Sequence, residues 1–333
     1  MSHQLQSLAY VSKTASDVPW HGLGKPLPPR QSIDTWTQSA GMDWTIRETP
    51  VRYLAETSGT LGSIKSFSDQ KVLYRSDTQE PLSVVGSRYQ VVQPRDVLEF
   101  YRDLTEVSGF ELETAGVLKA GRKFWALART GKSTALKGTD VVKGYLLLAT
   151  SCDGSLATTA TPTTIRVVCN NTLNIALQGA SSAIRVPHST SFDAQAVKQQ
   201  LGVAVSQWDA FMYRMKTLAE RKVKSHEAMN YFLHVMCQPG QPDRTMPAAP
   251  HASPNLSNER ALVKVQELFD GRGRGAELAA AKGTAWGLLN AVTEFVDHER
   301  RARSPEYRLD SAWFGQGAQL KARALERALQ LVS

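Results

Sequence analysis

Short apolar runs with strand-like spacing dominate the first half of the chain. Four of them lie between residues 44 and 86, at 44–48, 51–55, 71–76 and 82–86. Four more follow at 110–118, 123–129, 141–152 and 155–161. Their β-branched and aromatic content is typical of strands, and Gly-containing turns join the first three runs of the second group. We therefore predict an antiparallel β-meander in this second group.

Apolar residues spaced three and four apart predict helices, most of them in the second half of the chain. The predicted helices are 33–40, 93–106, 192–223, 226–237, 258–270, 284–298 and 316–331. Ser191 or Asp193 is placed to cap the helix that begins at 192. Residues 164–179 also shift toward a helical pattern, because Leu173 and Leu177 lie one helical turn apart.

Strands that precede helices along the chain are typical of the α+β class. We predict an antiparallel β-meander core with flanking helices and a helical C-terminal half. The predicted parts are an N-terminal arm, a β-rich α+β core, a long helical segment, a Pro-rich loop and C-terminal helices, at 1–43, 44–190, 191–237, 238–258 and 259–333. The Pro-rich loop contains five prolines, which neither continue a helix nor join a sheet.

Cysteine usage and hydropathy argue against a disulfide-rich, zinc-binding, membrane or secreted protein. The three cysteines, Cys152, Cys169 and Cys237, are odd in number and far apart, which is not the pattern of a disulfide framework or a structural zinc site. We predict free, buried thiols. No apolar run approaches the roughly 20 residues that a membrane helix needs, and residues 1–10 lack the pattern of a secretory signal. We expect a soluble cytoplasmic protein with no membrane partner.

The formal charge is +8, and one segment accounts for most of that surplus. Between residues 114 and 152, seven cations accompany the single acid Asp140. Phe124, Trp125 and Tyr145 are interleaved with them. Phosphates need cations, and unpaired bases need flat aromatic faces, so we predict a nucleic-acid-binding face on the meander. Its residues are Lys119, Arg122, Lys123, Trp125, Arg129, Lys132, Lys137 and Lys143. The alternative is that the aromatic side chains lie in the core while the lysines are only solvated.

Other motifs indicate little chemistry. Residues 126–133 end like a phosphate-binding P-loop but lack its first glycine and its following helix, so a basic loop between strands is favoured. The glycine-rich stretch 271–275 reads as a hinge between helices rather than a phosphate cradle. The acids beside His298 point around a helix instead of onto one face. We therefore predict no catalytic residues, no metal site and no cofactor.

The sequence VPWHGLGKPL at 18–27 combines an aromatic residue, a histidine and two glycines. We interpret it as an anchor in which Trp20 is buried and the glycines allow a sharp return of the chain. His21 could instead donate to a phosphate or act as a base, but no carboxylate or thiol lies within three residues of it in sequence.

Five segments, at 19–25, 84–95, 164–174, 283–298 and 308–318, together resemble the phage and plasmid-like family of domain of unknown function 932. The resemblance extends from about residue 20 to 331. It implies a phage or plasmid context and supplies no catalytic residues to carry over. A basic meander with helices is also similar, at the level of fold alone, to the single-strand annealing proteins of phages.

From these observations we expect a homo-oligomeric protein that binds single-stranded DNA, or RNA, and promotes strand annealing in recombination or replication. One alternative is a metal-dependent hydrolase or nucleotide-modifying enzyme with a site built from His21, Asp297 and His298. Another is an accessory protein that binds host proteins through its C-terminal helices.

The meander hypothesis predicts salt-sensitive binding to an oligonucleotide. Changing Arg122, Lys123 and Lys132 to Ala should weaken binding and reduce its salt dependence, because each lost phosphate contact lowers the salt slope by about one. Fluorescence anisotropy at two ionic strengths measures both quantities. Equal affinity at low and high salt would contradict the hypothesis.

Overall fold

The strands predicted between residues 110 and 161 lie side by side in one sheet of the computed structural model. The structure describes residues 8–12, 19, 21–57, 60–168, 171–177, 180–181, 183–199, 208–237 and 256–333. Four successive strands, β6 (Glu111–Leu118), β7 (Lys123–Leu136), β8 (Asp140–Ser151) and β9 (Thr158–Arg166), are neighbours in the order of the chain. The predicted meander and the α+β class are therefore confirmed.

The same sheet continues beyond the meander on both sides. Its order is β10-β9-β8-β7-β6-β1-β2, and β13 also pairs with β9. The additional strands are β1 (Leu8–Val11), β2 (Lys25–Leu27), β10 (Asn171–Asn174) and β13 (Ile184–Val186), while β11 (Ala176–Leu177) and β12 (Ala180–Ser181) form a separate pair. The sequence analysis did not predict β1 and β2, because three or four residues are too short to show a period.

A second sheet has the order β3-β4-β5, formed by Ile46–Thr57, Thr60–Arg75 and Pro81–Gly86. The two runs predicted at 44–48 and 51–55 are parts of one strand, β3, with a shift in register between Pro50 and Val51. The ladder between β3 and β4 runs from Ile46 opposite Arg75 to Thr57 opposite Thr60. Since β5 pairs only with residues 70–74 of β4, the outer part of the hairpin is two-stranded.

The helices follow the predicted periods closely. They are α1 (Ile33–Ser39), α2 (Pro94–Ser108), α3 with described residues 194–199, α4 (Trp208–Glu220), α5 (Ser225–Cys237), α6 (Leu256–Glu267), α7 (Ala285–Glu294), α8 (Pro305–Phe314) and α9 (Gln316–Leu329). Short π-helical turns extend α6 and α7. The sequence analysis missed α8, which begins with the N-cap Ser304 and with Pro305 at its first position. None of the described helices has an apolar stretch of the length that a bilayer crossing requires.

The predicted helical shift at 164–179 is wrong. Residues 171–174 form β10 and pair antiparallel with residues 163–166 of β9. The Thr163 and Thr164 hydroxyls both donate to the carbonyl of Leu173. The spacing of Leu173 and Leu177 suggested a helix, but sheet pairing of a segment rich in β-branched residues determines the backbone here.

The helix predicted at 192–223 is described only in part. The Asp193 carboxylate accepts from the backbone N–H groups of Gln195 and Ala196 and so caps α3, as predicted for this position. Residues 200–207 lie outside the described residues, and α4 begins at Trp208. Residues 238–255 of the predicted Pro-rich loop also lie outside them.

The chain divides into two compact units, and neither is a continuous stretch of sequence. Unit 1 comprises Met1–Gly131, Tyr145–Pro162 and Ser182–Val205. Its core is built from α1, α2, α3, the second sheet and the central strands of the main sheet, and it contains Phe100, Phe124 and Leu146. Because these side chains come from separate helices and strands, unit 1 has an apolar core of its own.

Unit 2 comprises Lys132–Gly144, Thr163–Ser181 and Ser206–Ser333. Its core joins the helices α4 to α9 and includes Phe211, Phe232 and Trp286. Leu136 and Val142, from the hairpin formed by β7 and β8, belong to this core. The apolar face of that hairpin is thus buried within unit 2.

The loop predicted as an anchor is fixed through His21. The Thr114 hydroxyl donates to the carbonyl of Ala9, so its oxygen accepts from His21 Nε2 at 3.1 Å. His21 Nδ1 in turn accepts from the backbone N–H of Leu23. These partners require the neutral ring with its proton on Nε2, and burial lowers the pKa of His21 to about 3. The anchor role predicted for Trp20 lies outside the described residues.

The buried neutral His21 predicts acid sensitivity of folding. Its pKa is about 3 in the folded chain and 6.5 when unfolded, so the unfolded state binds the extra proton between these values. Stability is therefore lost as pH falls below 6.5, by about 1.4 kcal/mol per pH unit for this one group. Urea unfolding at pH 7.5 and 5.0 should show a loss of about 2 kcal/mol that His21→Gln lacks. The same change at the exposed His226 is the control and should leave the loss intact.

Candidate nucleic-acid interface

The residues predicted to bind nucleic acid divide between the two units. Lys119, Arg122, Lys123, Trp125 and Arg129 belong to unit 1, whereas Lys132, Lys137 and Lys143 belong to unit 2. They lie on β7, on β8 or in the turn before β7, except Lys137, which lies in the turn between β7 and β8. Their exposure differs widely, so we describe each group within its own unit.

Two of the residues in unit 1 are inside the protein. Lys123 is 3% exposed and Trp125 is 0% exposed. Residues 123–128 are all buried, although successive side chains of a strand point to opposite faces. Both faces of β7 are therefore covered here. The prediction of Lys123 and Trp125 as binding residues is corrected, because a side chain without exposed surface cannot reach a phosphate or stack on a base. The uninterrupted apolar run at 124–128 was the available signal.

The other aromatic residues of the meander are buried as well. Phe124 contacts the Trp44 ring edge-on in the core of unit 1. Tyr145 is buried, and its hydroxyl lies 3.1 Å from a carboxylate oxygen of Glu113. Burial, followed by the charge of Glu113, raises the pKa of Tyr145. The alternative left open by the sequence, with aromatic side chains in the core, is therefore correct for this sheet.

Arg129 faces a cavity of about 690 Å³ in unit 1. Its guanidinium forms an ion pair with Glu113, which also lines the cavity. Arg30 and Arg102 also line the cavity, and Trp36 contributes apolar surface. Arg129 is thus held by a neighbouring carboxylate and is directed into a pocket rather than across an open sheet. Lys119 is half-buried, and Arg122 is the one member of the unit 1 group classed as exposed.

The three predicted lysines of unit 2 have a different environment. Lys132 and Lys137 are exposed and Lys143 is half-buried, while Leu136 and Val142 of the same hairpin are buried. Lys137 Nζ lies 3.2 Å from a carboxylate oxygen of Glu220, the last residue of α4. The turn of this hairpin therefore lies beside the exposed C-terminal end of α4.

Two further lysines join Lys137 at the C-terminal end of α4. The segment after α4 runs beside the segment before α7, with Lys222 opposite Thr284 and the Val223 N–H donating to the carbonyl of Gly283. Lys222 Nζ donates to the carbonyl of Lys282 at 3.0 Å. Lys222 and Lys282 thus lie side by side, and Lys222 follows by two residues the Glu220 whose carboxylate pairs with Lys137. Their charges are only partly offset, by Glu220 and Glu277.

Tyr213 supplies an open aromatic face beside these lysines. It is 72% exposed, and it lies on α4 one turn before Lys216, which is also exposed. Residues three and four apart share a helix face, so Tyr213, Lys216 and Glu220 form one row along α4 that ends at Lys137. We call Lys137, Lys216, Lys222, Lys282 and Tyr213 the lysine surface. Sequence reasoning missed four of these five residues, because only their folding together places them near Lys137.

The charge of the whole protein is concentrated in the unit that carries this surface. Unit 2 has twenty-two basic and fifteen acidic residues, whereas unit 1 is close to neutral, with a surplus of one basic residue. The segment predicted as the basic face is split by this division. A concentrated positive field on one unit favours a polyanionic partner for that unit.

The single acid of the basic segment is fully buried. Asp140 accepts two hydrogen bonds from Arg166, at 2.6 and 2.7 Å, and a third from Trp286 Nε1 at 2.9 Å. Arg166 also donates to the carbonyl of Gly275, within the glycine-rich stretch predicted as a hinge. This network connects β8, β9, the 271–275 turn and α7 inside unit 2. Residues 126–133 lie within strand β7, which excludes the P-loop alternative and also corrects the favoured prediction of a basic loop between strands.

Asp297 is the center of a second buried network. Its carboxylate accepts from Lys321 Nζ at 2.9 Å and from both the backbone N–H and the hydroxyl of Thr172. Burial lowers the pKa of Lys321, an effect that the charge of Asp297 opposes. Asp297, Lys321 and Thr172 are thus hydrogen-bond partners of one another. Both carboxylate oxygens of Asp297 are therefore held in structural bonds. This does not favour the enzyme alternative, in which Asp297 belongs to a catalytic site.

The sulfur and nitrogen side chains do not assemble into a metal centre in the described part of the chain. No group of three His, Cys, Asp or Glu residues there has the geometry to hold an ion. Cys152 is a buried free thiol, as predicted, and burial raises its pKa to about 12. Cys237 is free but exposed near the end of α5, which corrects the prediction of burial. Cys169 lies outside the described residues.

The family model for DUF932, a domain of unknown function, matches residues 81–313, which include both buried networks apart from Lys321. No curated protein matches the chain, and no solved structure matches it.

The buried Asp140 and Arg166 pair predicts a large loss of stability on truncation. Asp140→Ala leaves an uncompensated guanidinium in the interior and should lower the free energy of unfolding by about 3–5 kcal/mol. Glu277→Ala removes half of the exposed pair with Lys282 and should cost under about 1 kcal/mol. Urea unfolding of the two variants measures the difference. Equal losses would contradict the structural role given to Asp140.

Proposed function

Because the chain belongs to the DUF932 family, which is defined by a domain of unknown function, we propose a function from its own surfaces: it binds single-stranded nucleic acid, DNA in the first instance, along the lysine surface. The observation that carries the proposal is the meeting of Lys137, Lys222 and Lys282 from three separate parts of the chain. Ammonium groups gathered on an open surface release counterions when they contact successive phosphates.

The exposed ring of Tyr213 favours single strands over duplexes. An unpaired base can stack on an aromatic face, and such stacking contributes about 1–3 kcal/mol per base. The bases of a duplex are already stacked on one another and are not available to Tyr213. Cations and an exposed aromatic ring are the two elements that non-specific single-strand binding combines.

The proposal includes the cellular role expected from the sequence. Contacts through phosphates leave the base edges free, which strand annealing in recombination or replication requires. A phage or plasmid origin and a cytoplasmic location are part of this proposal. The accessory-protein alternative predicts instead a stoichiometric host protein that co-purifies with the chain in place of nucleic acid.

Removing the lysines should weaken binding in a salt-dependent way. The variant Lys137→Ala, Lys222→Ala, Lys282→Ala should reduce the magnitude of the salt slope by about 2, at roughly 0.7 per single-strand phosphate contact. The control removes the same charge from exposed positions of unit 1, by changing Lys25, Arg88 and Arg185 to Ala. Fluorescence anisotropy with a labelled DNA strand at two salt concentrations measures both. If the two variants behave alike, net charge and not the lysine surface is responsible.

Tyr213 should control the preference for single strands. Tyr213→Ala should weaken single-strand binding by about 5- to 150-fold, which corresponds to the loss of one stacked base, while Tyr213→Phe keeps the affinity. Duplex binding should be unchanged in both variants. Parallel titrations with the strand and its duplex test this, and an equal loss for both ligands would exclude base stacking on Tyr213.

A further inference from the structure

The outer part of the hairpin between β3 and β4 exposes apolar side chains on both of its faces. Within residues 51–56 and 62–67, which we call the arm, Tyr53 is 50%, Leu54 59%, Ile64 72% and Phe67 45% exposed. Directly opposed residues of a ladder share a face, so Leu54 and Ile64 lie on one face. Tyr53 and Phe67 lie on the other.

A two-stranded ribbon in water has no core of its own. Isolated hairpins are at best marginally stable, and large apolar side chains on both faces add a cost of exposure. Within the part of the chain that the structure describes, the arm pairs with no third strand, because β5 reaches only residues 70–74 of β4. The described residues of this copy therefore leave both faces of the arm uncovered.

The charges of the arm do not suit a polyanion. It carries two cations, Arg52 and Lys65, and one acid, Glu56. It also belongs to unit 1, which has nearly equal numbers of acids and bases, whereas the positive surplus lies in unit 2. Four large apolar side chains with almost no net charge favour a protein partner, and a neutral arm does not repel an identical copy.

The size of the arm matches what a dimer needs. Six residues per strand give a length of about 20 Å, and two strands give a width of about 10 Å, so both faces offer roughly 400 Å². If two copies exchange arms, each copy contributes one arm and covers another, for about 800 Å² per partner. That is the standard size of a stable protein interface.

We propose that the arm docks on a second copy of this chain, with the two copies exchanging arms. Contact is made through the faces of the ribbon. Continuous edge-to-edge pairing is disfavoured near its base, where Pro50 lacks an N–H donor and the register shifts beside Val51. The proposal is independent of the nucleic-acid function, because it concerns a different unit and a different surface.

The test is the oligomeric state of the full chain. Sedimentation equilibrium from about 1 to 50 µM should show dimers or larger assemblies for the unchanged protein. The variant Leu54→Lys, Ile64→Glu places opposite charges on directly opposed residues, so it keeps the hairpin while removing one apolar face. We expect its dissociation constant to rise at least 100-fold. The control Val84→Lys, Val263→Glu changes two exposed apolar residues outside the arm and should leave assembly intact.

A trimmed variant makes the test independent of those charges. Val51 and Phe67 lie directly opposite each other, so Asn-Gly can replace residues 52–66 as a two-residue turn. We expect this variant to be folded and monomeric, with a cooperative thermal transition whose midpoint does not depend on protein concentration. A monomeric unchanged protein, or assembly that persists without the arm, overturns the proposal. Loss of folding in the trimmed variant also overturns it, because the arm would then belong to the core of its own protomer.

Discussion

Unit 2 depends on one buried ion pair, between Asp140 and Arg166. A carboxylate with no exposed surface is costly unless its oxygens are satisfied, and here both oxygens accept from Arg166 while Trp286 adds a third bond. The same guanidinium donates to the carbonyl of Gly275. Because a guanidinium has fixed planar geometry, the pair sets the relative positions of β8, β9, α7 and the 271–275 turn.

This ion pair also determines which side chains of the β7–β8 hairpin are exposed. Asp140 begins β8 on the buried side of the hairpin, together with Leu136 and Val142. The hairpin is therefore held with its apolar side inward, and Lys137 remains at the surface, where it meets Glu220. Asp140, the single acid of the basic segment, thus fixes the orientation of the hairpin that carries Lys137.

The two units differ in which aromatic and charged side chains they expose. In unit 1 the sheet is covered on both sides, so Trp125 and Tyr145 serve the core and Arg129 is paired within a cavity. In unit 2 the positive surplus is larger, and Tyr213 presents an open ring beside exposed lysines. The arm of unit 1 is apolar and nearly neutral. The positive surplus and the exposed apolar side chains of the arm thus belong to different units.

The sequence by itself determined the class, the meander strands and most helices, because periods of two and 3.6 residues are local properties of the chain. It also limited the cap of α3 to Ser191 or Asp193, and the structure shows that Asp193 accepts from the backbone N–H groups two and three positions away. Tertiary structure alone decided which faces are covered. Lys123 and Lys137 look alike in sequence, yet one is buried and the other exposed, because layers formed by distant segments cover only the first. Lys222 and Lys282, sixty residues apart in sequence, became neighbours through folding, which no local pattern records.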